Sequence, residues 1–479
     1  MKKFEIILLI FILSIAFAVR LYKINRPIAD WHSWRQADTA AVSRNFIKEG
    51  FNPLIPTYDD MSSQTNGLDN PNRYRFVEFP IYNILIAAVW SVTGINVTYA
   101  RLVTVVITLL STGLLYLLVR KFSGVMVAAL SSFFFATIPY NVFYSSTILP
   151  APLMVMSVLA LYLSFSNWLE NEKSFLWAAL SVIFANVAIL VWPIALFFML
   201  PIIYLTFQKH EFGAIKKLNL WLFAILSLLP FLFWRAWMTK FPAGIPSWQF
   251  LINEGNIRFK GAFFRWLIAE RFGNLILTVG GFSLFILGLV RKPETKEKFF
   301  YYSWLASVAF YFTVFASGNV RHDYYQIPTV PILAIFMALG VKFLVEKPKE
   351  YFNKYVGILA AVVLVLFMYA FGFYEVQGHY WINRPQIIEA GQAADRILPK
   401  NATVIAPYNG DTAFLYQTNR HGYPVVDRSL SDFVKNGTDY LVSVDVADAG
   451  IANLAKNCRT LEKTSDYVII QLSLDCVGK

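Results

Sequence analysis

The chain has 479 residues, 57% of them hydrophobic and only 15% charged, with a formal net charge of +12. Soluble domains average about 45–50% apolar and about 25% charged residues, so an ordinary soluble domain is excluded. The basic balance does not point to nucleic acid: no GxGxxG follows a strand, and there is no Walker A loop and no Cys/His cluster with zinc spacing.

The first apolar run, in MKKFEIILLIFILSIAFAVRLY, reads as an uncleaved membrane span. A signal peptide ending near Ala16-Phe17-Ala18 is the alternative, and in both cases the chain after Tyr22 emerges outside. The next stretch, ADWHSWRQADTAAVSRNF from Ala29 to Phe46, crowds Asp30, His32, Arg35, Asp38 and Arg44 around Trp31 and Trp34. Ser33 is placed to cap a helix running from Trp34 to about Lys48. On that helix Trp34, Ala37 and Ala41 are expected at the membrane surface, and Arg35 and Asp38, three apart, share a face. From position alone Arg35 and Asp38 read more readily as a surface salt bridge worth about 0–1 kcal/mol, and Asp30 as the end of the span. Asp59 and Asp60, in TYDDMSSQTNGLDN, read as turn formers.

Further apolar runs lie near 79–94, 97–119, 124–143, 150–167, 174–190, 193–207, 217–238, 274–290, 299–317, 327–345 and 354–374, which with the first makes twelve. If all cross and the N-terminus is inside, the loops with Arg120/Lys121, Lys209/Lys216/Lys217 and Arg291/Lys292/Lys296/Lys298 face outside, against the positive-inside bias. Letting 79–94 lie in the interface, just after Glu78, leaves eleven spans and returns every basic loop to the inside, Lys347, Lys349 and Lys354 included. The alternative is a short span there with the N-terminus outside, which Lys2 and Lys3 oppose. Residues 23–96 then form one long outer loop, and the tail from about 375 to 479 is also outside. In the tail, RPQIIEAGQAADRIL has helical periodicity, while ATVIAPY, DYLVSV and SDYVIIQLSL read as strands. Cys458 and Cys476, the only two cysteines, either pair in an oxidising compartment or stay as two buried thiols. The expected fold is an all-α polytopic membrane body over 1–374, with interfacial helices in its first outer loop, followed by a small extracytoplasmic α/β domain over 375–479.

HSWRQADTAAVSRNFIKEGFNPL resembles the first outer loop of GT-C type membrane glycosyltransferases, more narrowly the bacterial branch related to protein O-mannosyltransferases and lipid A aminoarabinose transferases. VEFPIYNIL resembles that family's acidic-x-Pro entry into an interfacial helix, and RHDYYQIPTVPILAI its aromatic loop before a late span; the resemblance covers roughly positions 1–375. It implies an enzyme that moves a sugar from a polyprenyl-phosphate carrier to an acceptor hydroxyl of a lipid, glycan or protein, on the outer face of the cytoplasmic membrane, with inversion. A loop carboxylate would act as general base, and arginines would stabilise the leaving phosphate. Asp38 matches the family's motif position, Asp30 is the second candidate, and Glu78 stands where relatives carry an acid at the edge of the active site, sometimes on a metal. The bland reading of Glu78 is a helix cap. His32, Arg35, Arg271, Arg321, His322 and Tyr325 are the candidates for donor phosphate and sugar. A divalent metal is compatible with this chemistry but not required, since the leaving group is a monophosphate and the DxD pattern of nucleotide-sugar enzymes is absent. One departure stands out: where many relatives have an acid between prolines, ILPAPLM carries Ala151. Two rival classes are a transporter or flippase, which would place ionisable groups near the midplane and show internal repeats, and a non-catalytic binder of lipid-linked sugar.

Overall fold

The computed structural model describes residues 2–291, 298–346 and 353–477. Lys292, Lys296, Lys347 and Lys349 of the expected inner loops lie outside the described residues, as does the side chain of Lys298. Among the described residues five helices are long and apolar enough to cross a membrane: Val97–Thr137, Ala151–Glu170, Leu218–Met238, Asp323–Glu346 and Lys354–Tyr380. Gly261–Ile276 and Thr278–Val290 meet at 112° and make a sixth if they form one broken span, and Ile81–Thr93, Phe175–Val191 and Phe299–Val314 are shorter apolar helices. A multi-pass membrane protein follows from these helices; eleven separate crossings do not follow from length and composition. The expected spans at 97–119 and 124–143 run together as Val97–Thr137, broken at Gly124, whose φ of 80° is a left-handed value open to glycine at no steric cost.

The chain forms two compact units. The first comprises Met1–Ile24, Arg101–Arg235 and Trp248–Gly378. Here the helices Thr278–Val290 and Val330–Glu346 approach so closely that a Cβ on Gly288 would lie 1.9 Å from the Phe336 carbonyl oxygen, and one on Gly340 1.9 Å from that of Leu284. Small residues at such crossings let backbones touch where packing, not water exclusion, drives helix association. Arg20, at the end of Lys3–Arg20, is fully buried. It donates to Ser145 Oγ at 2.7 Å and to the carbonyls of Ala16 and Ala136 at 2.8 Å each, which offsets the cost of burying a guanidinium.

The second unit gathers Asn25–Ala100, Ala236–Ser247 and His379–Lys479. Its helix Ile81–Thr93 has 13 residues. At 1.5 Å per residue it is about 20 Å long, short of the roughly 30 Å of a hydrocarbon core. The other early helix, Ser33–Lys48, is buried at every position from Arg35 to Phe46. The expectation that Ala37 and Ala41 face the membrane surface is therefore overturned: they are 0% and 2% exposed within the protein itself. Small side chains at Ala37, Ala40, Ala41 and Ser43 allow this enclosure, because neighbouring segments can close on both sides.

In the tail, helix Gln386–Ile397 and strands β1 (Thr403–Ile405), β2 (His421–Tyr423), β3 (Tyr440–Ser443), β4 (Arg459–Lys463) and β5 (Val468–Gln471) form an α/β layer. The sheet order is β2-β1-β3-β5-β4, with β1 parallel to β2 and β3 and the β3–β5–β4 side antiparallel. The sequence pattern reveals β1, β3 and β5 but not the two edges: β2, HGY, has no β-branched residue, and β4 has no buried face to impose alternation. Cys458 and Cys476 are joined by a disulfide beside Phe433, Val468 and Ile470 in the core of this layer. The segment 59–61 joins the sheet edge: Met61 N–H donates to the Gly422 carbonyl at 2.8 Å, and Gly422 N–H to that of Asp59 at 2.9 Å.

Candidate functional site

The site grows from the helix Ser33–Lys48. Its two interior hydroxyls are satisfied locally, Thr39 donating to the Arg35 carbonyl at 2.8 Å and Ser43 to that of Thr39 at 3.2 Å. Ser33 is not the cap expected of it. His32 occupies the cap position with φ 54° and makes no side-chain cap bond, while Ser33 Oγ donates to Asp411 Oδ2 at 2.7 Å. The Trp31 ring touches those of His32 and His379, with centroids 5.2 and 5.1 Å away.

Arg35 and Asp38 do share a face, and each has found a partner outside the helix. Arg35 Nη2 donates to both carboxylate oxygens of Glu78, at 2.8 and 2.9 Å. Asp38 Oδ2 pairs with Arg75 Nη2 at 2.7 Å, and Asp38 Oδ1 accepts the Thr412 hydroxyl at 2.7 Å. Both pairs line one small cleft, together with Thr39, Val42, Pro80 and Asn83. Two arginines and two carboxylates make its walls neutral in sum but strongly polarised. Thr412 and Arg75 take two of the roughly four acceptor positions of the Asp38 carboxylate, which leaves room for an incoming hydroxyl. The capping role of Glu78 is overturned: Pro80 stands at the start of Ile81–Thr93, and Glu78 turns back to Arg35.

Asp30 is not among the cleft residues. It is buried in an ion pair with Arg26 and accepts Gln36 Nε2 at 2.8 Å, so it anchors the start of the loop. Asp59 is more than a turn former, being buried against Arg44. Burial pushes its carboxyl up, against the pull of that guanidinium. Asp60 does form the expected turn, accepting Ser62 N–H at 2.7 Å, but it is 1% exposed, and burial pushes its pKa up to about 6.

The remaining candidates belong to the other unit. Arg271 Nη2 donates to the Val320 carbonyl at 2.8 Å. The His322 ring stacks on Tyr325 at 5.9 Å and lies 5.6 Å from Tyr324. Arg321 pairs with Glu254 at a half-exposed position. Beside them lies Asp323, which sequence reasoning passed over: it is buried, with its Oδ1 accepting the Tyr144 hydroxyl at 2.6 Å and its carbonyl accepting that of Tyr140 at 2.5 Å. Ala151 opens the helix Ala151–Glu170 at 2% exposure.

Among the described residues no three His, Cys, Asp or Glu side chains gather as a metal site. With both Glu78 oxygens bonded to Arg35, the residues present do not fit a metal centre. Sequence reasoning also missed Arg75 and Thr412. Arg75 carried a weak signal, three residues before Glu78 in RYRFVEFP. Thr412 carried none, since 374 residues separate it from Asp38.

No family model matches the chain, and no curated protein sequence matches it. Solved structures do. ArnT from Cupriavidus metallidurans bound to undecaprenyl phosphate superposes with a TM-score of 0.67 at 16% identity, over 98% of this chain and 99% of that one. The apo state of the same protein gives 0.65 at 14% identity, over 96% and 97%. The archaeal oligosaccharyltransferase AglB from Archaeoglobus fulgidus, in complex with an inhibitory peptide and a dolichol-phosphate, gives 0.58 at 12% identity, over 99% of this chain and 75% of that one. At these identities the likeness is one of fold: nearly the whole chain has the GT-C architecture shared by these glycosyltransferases.

Proposed function

We propose that the chain is a membrane glycosyltransferase that transfers a sugar from a polyprenyl-phosphate donor to an acceptor hydroxyl on the outer face of the cytoplasmic membrane. The observation that carries this reading is the cleft holding Asp38, Arg75, Arg35 and Glu78, on a chain folded like proteins bound to undecaprenyl phosphate and dolichol-phosphate. Asp38 is the general base. It takes the proton of the acceptor hydroxyl as that oxygen bonds to the anomeric carbon. The bond from that carbon to the phosphate oxygen breaks, and its electron pair leaves with the polyprenyl phosphate. Attack from the face opposite the phosphate inverts the centre. Arg35, oriented by Glu78, meets the charge that develops on the phosphate, where a preorganised cation acts most strongly. Donor-binding roles for His32, Arg271, Arg321, His322 and Tyr325 belong to the same reading on sequence resemblance alone.

The experiment is mass spectrometry of envelope glycans from a deletion strain complemented with the wild type or with Asp38→Asn. The deletion is expected to lose a glycosyl group, which the wild type restores and Asp38→Asn does not. An envelope unchanged by the deletion, with no transfer by the purified protein from polyprenyl-phosphate sugar, overturns the proposal.

A further inference from the structure

The tail reaches the candidate base through the segment GDTAF, residues 410–414. Asp411 Oδ1 accepts the Ala413 N–H and its Oδ2 the Ser33 hydroxyl, both at 2.7 Å. These bonds pin the turn before the short helix Ala413–Gln417 to the first residue of Ser33–Lys48. Two further ties hold the same register: Arg44 donates to the Tyr416 carbonyl at 3.0 Å, and Gln417 Nε2 to that of Ile28 at 3.0 Å. Thr412 is thereby buried with its Oγ1 2.7 Å from Asp38 Oδ1 and 3.2 Å from the Trp34 carbonyl oxygen.

A hydroxyl carries one hydrogen and can serve only one of these acceptors at a time. While Asp38 is ionised, the charge-assisted bond to it is the stronger. Once Asp38 holds a proton, the Thr412 hydrogen can turn to the Trp34 carbonyl, and the Thr412 oxygen can accept from the new carboxylic acid. Rotation about one bond keeps both charge states hydrogen-bonded. Arg75 cannot do this, because a guanidinium only donates.

We propose that Thr412, supplied by the C-terminal segment, is a positioning residue for Asp38 whose hydroxyl turns between Asp38 and Trp34 as Asp38 takes and releases the acceptor's proton. This rests on the reading of Asp38 as base. The proton taken from the acceptor returns to water after the polyprenyl phosphate departs. The tail is then part of the transfer machinery.

The test uses the full-length protein in nanodiscs, with polyprenyl-phosphate sugar as donor and the envelope fraction of the deletion strain as acceptor. Four variants are compared with the wild type: Thr412→Ser, Thr412→Val, Asp38→Asn and the Asp38→Asn/Thr412→Val double. Loss of one hydrogen bond to a charged group predicts that Thr412→Val lowers kcat about tenfold, with the donor KM little changed. Thr412→Ser restores turnover. In the Asp38→Asn background Thr412→Val adds no further loss, because a residue acting through another is non-additive with it. If Thr412→Val does not fold, Thr412→Ala replaces it with the same expectation. Wild-type kcat in Thr412→Val, failure of Thr412→Ser, or the same tenfold loss without Asp38 each overturns the proposal. Normal turnover in Asp38→Asn instead removes the base assignment itself.

Discussion

Arg75 and Asp38 form an enclosed ion pair, Nη2 to Oδ2 at 2.7 Å, with side chains 10% and 5% exposed. Removing one partner of such a pair strands the other charge and costs about 3–5 kcal/mol. Asp38→Asn is therefore expected to lower the melting temperature as well as transfer, the latter by about 10²–10⁴-fold if Asp38 is the base. The two effects separate in the double variant Asp38→Asn/Arg75→Gln, which removes both charges. It should regain stability and stay inactive. Recovery of transfer along with stability would mean that the single variant lost activity only by unfolding.

Arg35 and Glu78 make the second pair, one nitrogen bonded to both oxygens. If Glu78 orients Arg35 toward the donor phosphate, Glu78→Gln loosens that aim while keeping the shape. The donor KM is expected to rise about tenfold, with a smaller change in kcat, since a hydrogen bond to a charged group is worth about 1.5–3 kcal/mol. Arg35→Lys should resemble it, because an ammonium lacks the planar fork. A fall in kcat alone would assign Glu78 to the chemical step.

The neutral cleft explains how much of the site the sequence could disclose. Asp38, Arg35 and Glu78 were legible because they sit in two short strings of recognisable composition, HSWRQAD and VEFP. Arg75 and Thr412 complete the site through contacts 37 and 374 residues away from Asp38 in sequence, and periodicity carries nothing over such distances. Asp30 shows the reverse case: adjacent in sequence to the motif, it is taken up by Arg26 and Gln36. The membrane helices were legible as apolar blocks, and the break expected between the blocks 97–119 and 124–143 is a kink at Gly124 within Val97–Thr137.

Sidedness is open to direct measurement. Single cysteines at Gly67, Lys216 and Asn436, in a background without Cys458 and Cys476, report it through an impermeant thiol reagent on intact cells. Positions 67 and 436 are expected to label and 216 not to. Labelling at 216 would reverse the orientation and remove the ground for an outer active site.

That background has its own consequence. The disulfide joins residues 18 apart, and cross-links closing loops of about this length stabilise by roughly 3 kcal/mol in chain-entropy models. Cys458→Ser/Cys476→Ser should unfold at lower temperature than the wild type, and reductant should lower the melting temperature of the wild type but not of the variant. Mass mapping without reductant that finds two free thiols would rule out the bridge.

Asp60 gives a pH signature. Burial pushes its carboxyl up to about 6, against bonds from Ser62 N–H and Gln64 Nε2, and the nearby charge of Asp38 adds to the rise. In the unfolded chain an aspartate titrates near 3.9. Between those values the folded state binds more protons than the unfolded one, so stability falls as pH rises through about 4 to 6. The cost of ionising Asp60 is absent below that window and complete above it, about 3 kcal/mol for a displacement of this size. Asp59 and Asp411, both pushed up by burial, act in the same direction. Asp395 acts oppositely and outside this window: burial would raise it, but bonds from Arg420, Lys400 and Asn419 hold it at about 2. Asp60→Asn removes the titration. Its amide cannot accept from Gln64 Nε2 as Oδ2 does, so Gln64 must rotate and give up its bond to the Gly410 carbonyl, a cost independent of pH. The difference in melting temperature, Asp60→Asn minus wild type, should therefore be more positive at pH 7.5 than at pH 4.5, whatever its value at either. A difference that does not change with pH would show that Asp60 is already ionised at the lower value, and that its bonds to Ser62 and Gln64 outweigh its burial.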